Sequence, residues 1–490
     1  MARTARDIHL HLEPAQSPGP LRHRVATAIV AAVRAGTLLP GDPLPASRTL
    51  AADLGVSRAV IVDAYDELAA AGYVVTRPGS GTRIAADADR AARAGADTHV
   101  PSSPTPAPPV PGSERTPGID LTPGYPDTDL ISTRDWRSAW RFAAAAPVPH
   151  AAPGPGEHAE LRRALAVHLR RTRGIVAEPD EIVVVPGVSA AMRTLVAAAG
   201  LSGCEIAFED PGYAKVRRIL EVGGARIRPV PVDLDGLDPA LVRTSDAAVY
   251  CTPAHQYPMG ARMPVPRRAA LVAAARAAGY LVIEDDYDGE FRYGVATLPA
   301  LRSIEGGRDC VAYVGTASKI LSPGLRLAWI VPPPHLIEPI RDTLRRNGDS
   351  ACAVTALALA RFIETGSLTR HLARAARTYA ARRHALVDAL STRMPGIEPT
   401  GVEAGLHVAV RLPDGFDDTA VADEITRRGV RVRGLADYRA SDAGPRGLLC
   451  GYARLPESRA DVAAQAIADV IRERGGAAAG TWGSCTTTGS

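Results

Sequence analysis

The chain of 490 residues is poor in aromatic side chains, 4% of the total. It contains no run of about 18 apolar residues, so no membrane-spanning helix is expected. The opening MARTARDIHL lacks the apolar centre of a secretory signal, so a cytoplasmic location without membrane attachment is expected. The six cysteines (Cys204, Cys251, Cys310, Cys352, Cys450 and Cys485) show no CxxC spacing. That argues against a disulfide framework or a zinc site and fits a reducing compartment. An excess of one charge sign is missing too, because the net charge is only +4. So mild a balance does not by itself point to nucleic acid, and such a reading must rest on local features.

Ala, Arg, Gly and Pro are abundant, and the apolar fraction of 46% is ordinary for a globular protein. The length suggests two to four domains. Residues 1–85 read as the first. LRHRVATAIVAAVRAG (21–36) has helical apolar spacing and a stop at Gly36. Ser47 and Ser57 are expected to cap two short helices, ended by Gly55 and Gly72. Two helices joined by a tight turn fit a helix-turn-helix. YVVTRPGSGTRIA (73–85) reads as two strands around a Gly-rich tip, a wing.

The chemistry of this module suits double-stranded DNA. Ser57 and Arg58 begin the recognition helix, where base edges and phosphates are met. Ser47 and Arg48 begin the helix before it, where backbone N–H groups and a guanidinium suit a phosphate. Arg77, Gly79, Gly81 and Arg83 make a thin wing tip for a minor groove. The bland alternative is a three-helix protein-interaction module.

Residues 86–118 are rich in Ala, Pro, Ser and Gly and read as an extended linker. Residues 119–475 read as a large α/β unit. Apolar strands at 181–187, 204–210, 225–232, 247–253, 280–286, 311–315 and 325–331 alternate with alanine-rich helices such as 267–279. This predicts a mostly parallel sheet with helices on both faces and sites at the C-terminal ends of strands. The last residues, 476–490, are small and polar and read as a flexible tail.

The candidate chemistry falls at those strand ends. Lys319 follows an apolar strand in a loop of small residues. Desolvation disfavours an ammonium there, and a lysine of depressed pKa suits Schiff-base chemistry. Arg326, at the next loop-to-strand junction, suits a phosphate, as does the strand–turn–helix PGVSAAMRTL (186–195). Tyr213 lies on a Pro-Gly turn, where it can stack on a planar ring. His255 and Gln256 offer groups for a ring oxygen. Asp285 suits a protonated pyridine nitrogen, and Tyr287 a ring hydroxyl. A magnesium site at Asp285, Asp286 and Asp288 is the rival reading, but no further group is spaced to complete a shell, and no metal is expected. Together these groups form the set that pyridoxal phosphate (PLP) requires.

Two resemblances follow from these motifs. LPASRTLAADLGVSRAVIVDAYDELAAAGYVVTRPGSGTRI is similar to the GntR-type winged helix-turn-helix. EDPGY, TPAHQYPMG, IEDDYDGEFRY and YVGTASKILSPGLRLAW resemble the fold type I aminotransferases, with a smaller C-terminal α/β subdomain. The whole chain, from about residue 20 to 472, resembles the MocR/GabR-type regulators. The resemblance implies an internal aldimine at Lys319, Asp285 (less readily Asp286) on the pyridine nitrogen, Tyr287 on the ring hydroxyl and Tyr213 stacked on the ring. It implies Ser318 and Arg326 on the phosphate, with the backbone amides of Val188 and Ser189, and His255 or Gln256 near the ring oxygen. It also implies a head-to-tail homodimer reading repeated DNA half-sites, and a signal from PLP or a PLP–amine adduct.

The chain departs from the aminotransferase pattern twice. Val188-Ser189-Ala190 stands where Ser-Gln-Gln is usual, leaving fewer side chains for the phosphate. Leu449 stands near the usual substrate-carboxylate arginine, with Arg446 and Arg454 on either side as candidates. The expectation is therefore a PLP-dependent transcription regulator controlling vitamin B6 or amino-acid metabolism. The alternatives are an active aminotransferase carrying a DNA-binding domain, and a DNA-binding protein whose large domain is only a scaffold.

Overall fold

The computed structural model describes residues 20–77, 81–86, 88, 118–154, 156–295, 298–397, 399–401, 403–441 and 444–476. The chain divides into two compact units, residues 1–114 and 115–490. Most of the expected linker and nearly all of the expected tail lie outside the described residues.

In the first unit, helices α1 (Leu21–Arg34), α2 (Ser47–Leu54) and α3 (Arg58–Ala70) precede strands β1 (Val74–Arg77) and β2 (Gly81–Ile84). Val25, Ile29, Leu50, Ile61, Leu68, Val74 and Ile84 form the core, each buried by one face of its element. Ala88 also packs into this core, just past the expected boundary at residue 85. The Tyr65 hydroxyl donates to the Pro45 carbonyl at 2.8 Å and ties α3 to the turn before α2. Gly55 makes the turn between α2 and α3 with φ of 65°. The expected caps differ in detail. Ala46 occupies the cap position of α2, so Ser47 is its first residue, and the Ser47 hydroxyl accepts instead from Arg58 Nε at 3.4 Å. Ser57 holds the cap position of α3, but its side chain makes no capping bond.

In the second unit, the strands are β3 (Val183–Val185), β4 (Glu205–Asp210), β5 (Arg226–Asp233), β6 (Gly236–Leu237), β7 (Ala248–Cys251), β8 (Leu281–Asp286), β9 (Val311–Thr316) and β10 (Ala328–Val331). They form one sheet in the order β3-β10-β9-β8-β7-β4-β5-β6. The pairs from β9 through β5 are parallel. All seven strands expected from sequence lie in this sheet. β10 runs antiparallel to both neighbours, because the loop from β9 is too short for a crossover helix. The site-positioning helices are α4 (Ala159–Arg173), α5 (Val188–Ala198) and α6 (Ala214–Val222). Adjacent residues face opposite sides of the sheet: Val183 and Val185 pack in one core and Val184 in another. β11 (His407–Arg411) and β12 (Gly447–Gly451) form the centre of a second, four-stranded antiparallel sheet.

Candidate functional site

Lys319 stands in a single helical turn, Ala317–Ile320, directly after β9. Its Nζ donates to the Gly124 carbonyl at 2.6 Å and lies 5.7 Å from the centroid of the Tyr125 ring. Burial pushes the ammonium pKa down, while the Asp288 and Asp285 carboxylates pull it up and Lys215 opposes them. Lys215 and Lys319 are the only lysines in the sequence, and both bear on this site.

Asp285 and Asp286 end β8. Asp285 Oδ2 accepts from the Tyr250 hydroxyl at 2.8 Å, while its Oδ1 is buried without a hydrogen-bond partner among the described residues. Burial raises its pKa to about 7, against the Tyr250 hydrogen bond. Asp286 is engaged elsewhere. It pairs with Arg173 of α4, accepts from the Tyr313 hydroxyl at 2.9 Å, and takes the Gly289 N–H at 3.1 Å. Asp288 Oδ2 lies 3.1 Å from His255 Nδ1. The three carboxylates thus have separate partners and do not converge on one point. His255, Asp288 and His407 do bring one donor atom each within 4.8 Å of one another.

The anion-binding elements come together beside β3. Gly187 (φ 94°) opens α5, whose first residues are Val188 and Ser189. A methyl group built on Gly187 would stand 3.6 Å from the Arg326 guanidinium carbon, so that guanidinium packs over the start of α5. Arg326 itself has φ of 52°, a left-handed backbone that a non-glycine residue adopts at a cost of order 1 kcal/mol. A helix N-terminus under a guanidinium suits a phosphate. Half-buried Ser318 lies in the Lys319 turn, with its N–H on Thr316 Oγ1 at 3.1 Å.

Aromatic rings wall the remaining side. Tyr257 makes edge contacts with Tyr213 (5.3 Å between centroids), Tyr287 (5.5 Å), His407 (5.1 Å) and Tyr438 (5.3 Å). Burial pushes the Tyr213 phenol pKa up to about 12. The Tyr287 hydroxyl lies 3.0 Å from His255 Nδ1. Gln256 is engaged by its own turn and by the end of β4 and the segment after it. Its Nε2 donates to Pro211 and Tyr257 carbonyls and to Glu209, and its Oε1 accepts from Met259 N–H.

Two partners were not evident from sequence. Tyr250 backs Asp285 from a strand that reads as plain apolar core. Glu209 is buried behind the Tyr213 turn, accepting from the Thr252 hydroxyl at 2.6 Å, and burial raises its pKa to about 7.

Leu449 on β12 is fully buried and packs with Tyr257 and Ala409. Arg454 pairs with Asp120 at 2.7 Å and lies 5.2 Å from the centroid of Tyr125, the ring Lys319 also faces. Arg446 precedes β12, half-buried, with its carbonyl on Leu412 N–H.

In the first unit, Arg48, Ser57 and Arg58 are exposed at the starts of α2 and α3. Arg77 pairs with Gly81 at the end of the β1–β2 hairpin, and Gly79 lies outside the described residues. The Arg83 guanidinium donates to the Gly41 carbonyl at 3.1 Å.

A winged helix-turn-helix, and separately a doubly covered sheet with a half-buried lysine, an unsatisfied carboxylate and a phosphate-type cradle, define a DNA-binding protein with an aminotransferase-type domain. Comparison with known proteins agrees. Residues 21–84 match the model of the bacterial regulatory proteins of the gntR family, and residues 116–467 match aminotransferase class I and II. The HTH-type pyridoxine biosynthesis transcriptional regulator PdxR of Corynebacterium glutamicum is 36% identical, covering 91% of this chain and 94% of that one. The probable rhizopine catabolism regulatory protein MocR of Rhizobium meliloti is 30% identical, covering 89% and 90%. An archaeal alanine:glyoxylate aminotransferase shares the fold with a TM-score of 0.68 at 24% identity, over 73% of this chain and 91% of that one. The chain belongs to the MocR/GabR type of DNA-binding transcription regulators, in which a GntR-type module is fused to an aminotransferase class I and II domain. Pyridoxal phosphate is the cofactor of that domain. The residues present fit it: an amine at Lys319, an orphaned acceptor at Asp285 Oδ1, and a cradle at Gly187 that a side chain would fill. Among the described residues no helix is long and apolar enough to cross a membrane.

Proposed function

We propose that this transcription regulator reads the supply of pyridoxal phosphate itself, through Lys319, and controls genes of vitamin B6 metabolism. The observation that carries the reading is Lys319: one of two lysines in the chain, half-buried directly after β9 and under the influence of the Asp288 and Asp285 carboxylates. Pyridoxal phosphate supplies an aldehyde that condenses with amines. In this reading Lys319 is the amine that meets it, and Asp285 Oδ1 takes the pyridine N–H. Tyr213 stacks on the ring, and Tyr287 donates to the ring hydroxyl with His255 behind it. Arg326, Ser318 and the amides of Val188 and Ser189 hold the phosphate.

The buried Leu449 favours the cofactor over an amino acid as signal. It lies in a core cluster with Tyr257 and Ala409, so the position near the usual substrate-carboxylate arginine carries no charge of its own. The relative named for pyridoxine biosynthesis points the same way. A response to the ligand requires that it bind two states of the protein with different affinity. The operator carries repeated half-sites, read by a head-to-tail homodimer in the cytoplasm.

The test is DNA binding to the region upstream of the protein's own gene, with and without pyridoxal phosphate, for wild type and Lys319→Ala. The expected result is a cofactor-dependent change in affinity that the variant lacks. Borohydride reduction of the loaded protein should fix the cofactor on the Lys319 peptide, with Lys215 as the only other lysine to exclude. Equal DNA binding with and without cofactor would move the signal to an amine that reacts with the loaded protein. Sustained transamination would favour a working aminotransferase.

A further inference from the structure

Three groups beside the proposed ring site share a single hydrogen-bonding atom. His255 Nδ1 lies 3.1 Å from Asp288 Oδ2 and 3.0 Å from the Tyr287 hydroxyl. Nδ1 either carries a proton or offers one lone pair, so it cannot donate to Asp288 and accept from Tyr287 at the same time. What the imidazole does there decides which way the Tyr287 hydroxyl donates.

The surroundings of the ring select the tautomer. His255 Nε2 is buried and has no hydrogen-bond partner among the described residues. It faces glycines: a methyl group built on Gly260 would stand 3.1 Å from it, and one on Gly401 3.6 Å. A proton on Nε2 would be an orphaned buried N–H, which proteins rarely tolerate, whereas an unfilled lone pair is the milder defect. His407 follows the same rule 5.0 Å away, with Nε2 on the Pro258 carbonyl at 3.2 Å and an unpartnered Nδ1. On the other side, the Asp288 carboxylate holds a proton on His255 Nδ1, as carboxylates do behind imidazoles elsewhere. With Nδ1 already a donor, it accepts nothing from Tyr287, and the phenol proton is left to point into the site.

We propose that Asp288 is a positioning residue: it fixes the Nδ1–H tautomer of His255 and thereby turns the Tyr287 hydroxyl into a donor toward the ring oxygen of bound pyridoxal phosphate. This rests on the placement of Tyr287 given above. The charged and titratable groups facing the trio are Asp286 at the end of β8, Glu290 from the loop after it, His407 from β11, Lys319 after β9, and Glu209, Asp285 and Tyr257 around the phenol. None of these has a hydrogen bond to His255.

The sign of one measurement separates this role from plain electrostatics. A donor at the ring oxygen favours the form in which that oxygen is more negative, so losing it raises the pH midpoint of the loaded protein's visible absorption. Removing the Asp288 charge near Lys319 would by itself lower that midpoint, because a carboxylate favours the protonated nitrogen. The experiment records this midpoint for the full-length loaded protein as wild type, Tyr287→Phe, Asp288→Ala and the double variant. In Asp288→Ala no carboxylate holds the proton on His255 Nδ1, and the Nδ1 lone pair takes the proton of the Tyr287 hydroxyl 3.0 Å away. Both single variants are expected to raise the midpoint by about one pH unit, and the double variant by no more than either. A midpoint that falls or stays fixed in Asp288→Ala, or additive shifts in the double variant, overturns the inference. A midpoint unmoved by Tyr287→Phe overturns the placement of Tyr287 and this inference with it. Nitrogen NMR of histidine-labelled, cofactor-free wild type needs no variant: Nδ1–H on His255 supports the inference, and Nε2–H refutes it.

Discussion

Asp285 and Asp286 are neighbours in sequence and face opposite sides of the sheet. The Tyr250 hydroxyl reaches Asp285 from one core, and Tyr313 with Arg173 reaches Asp286 from the other. The period of two along β8 separates them, so one oxygen of Asp285 stays unsatisfied at the strand end while Asp286 belongs to an ion cluster. That cluster extends through Arg173 to Glu290 at 2.8 Å, and through Glu290 to His168 at 3.5 Å.

The separation predicts opposite phenotypes for adjacent substitutions. Asp286→Asn leaves the buried Arg173 charge with less than its complement, and breaking such a pair costs about 3–5 kcal/mol. Its urea midpoint is expected to fall by the equivalent amount. Asp285→Asn removes no ion partner and is expected to keep stability within about 1 kcal/mol, while cofactor affinity falls roughly tenfold or more. Equilibrium unfolding and cofactor titration on both variants check this. The reverse pattern would transfer the pyridine contact to Asp286.

Much of this arrangement was legible in the chain. The seven short apolar runs announced the sheet, and Lys319, Asp285, Tyr213 and Tyr287 all fall at or just past strand ends, where open α/β sheets place their sites. Three things were not legible. The antiparallel direction of β10 depends on loop length rather than on its own residues. The partners of the site residues come from far away: Gly124 lies 195 residues from Lys319, and Arg173 lies 113 from Asp286. Spacing within a motif carries no information about such contacts. The hydrogen bonds of Gln256 to Glu209, Pro211, Tyr257 and Met259 are likewise a property of the folded chain, not of its motif. One unused signal was present: a chain rich in arginine keeps only two lysines, and both bear on one site.

Glu284, on β8 and on the same face of the sheet as Asp286, predicts a pH dependence of stability. It is buried and accepts the N–H groups of Leu301 at 2.9 Å and Arg302 at 3.3 Å. Burial raises its pKa from 4.5 to about 7. A carboxyl whose folded pKa is raised holds its proton longer in the folded state than in the unfolded one. Its contribution is therefore complete below pH 4.5 and is lost as pH rises to about 7. The slope from this group approaches about 1.4 kcal/mol per pH unit inside that window. Glu284→Gln is expected to flatten the stability profile there, measured by urea unfolding at several pH values. An unchanged profile would mean that the carboxyl is already ionised in the fold.

The DNA-binding unit makes a prediction that separates positioning from reading. Arg48 and Arg58 are both exposed, at the starts of successive helices, and Arg58 Nε reaches across to the Ser47 hydroxyl at 3.4 Å. In the proposed reading Arg48 stands at the helix that crosses the DNA backbone, where a guanidinium suits a phosphate. Each phosphate contact contributes about 0.9 to the slope of log affinity against log salt. Arg48→Ala should therefore weaken binding to specific and random duplexes alike and reduce that slope by about one for each DNA-binding unit engaged. Arg58 opens the recognition helix. Its loss should cost about 1–3 kcal/mol on the operator and little on random DNA, so that the ratio between the two collapses. Fluorescence anisotropy across a salt series, on operator and scrambled duplexes, distinguishes the two effects. If both variants lose slope equally and keep their sequence preference, Arg58 is a second phosphate anchor and base reading lies elsewhere on α3.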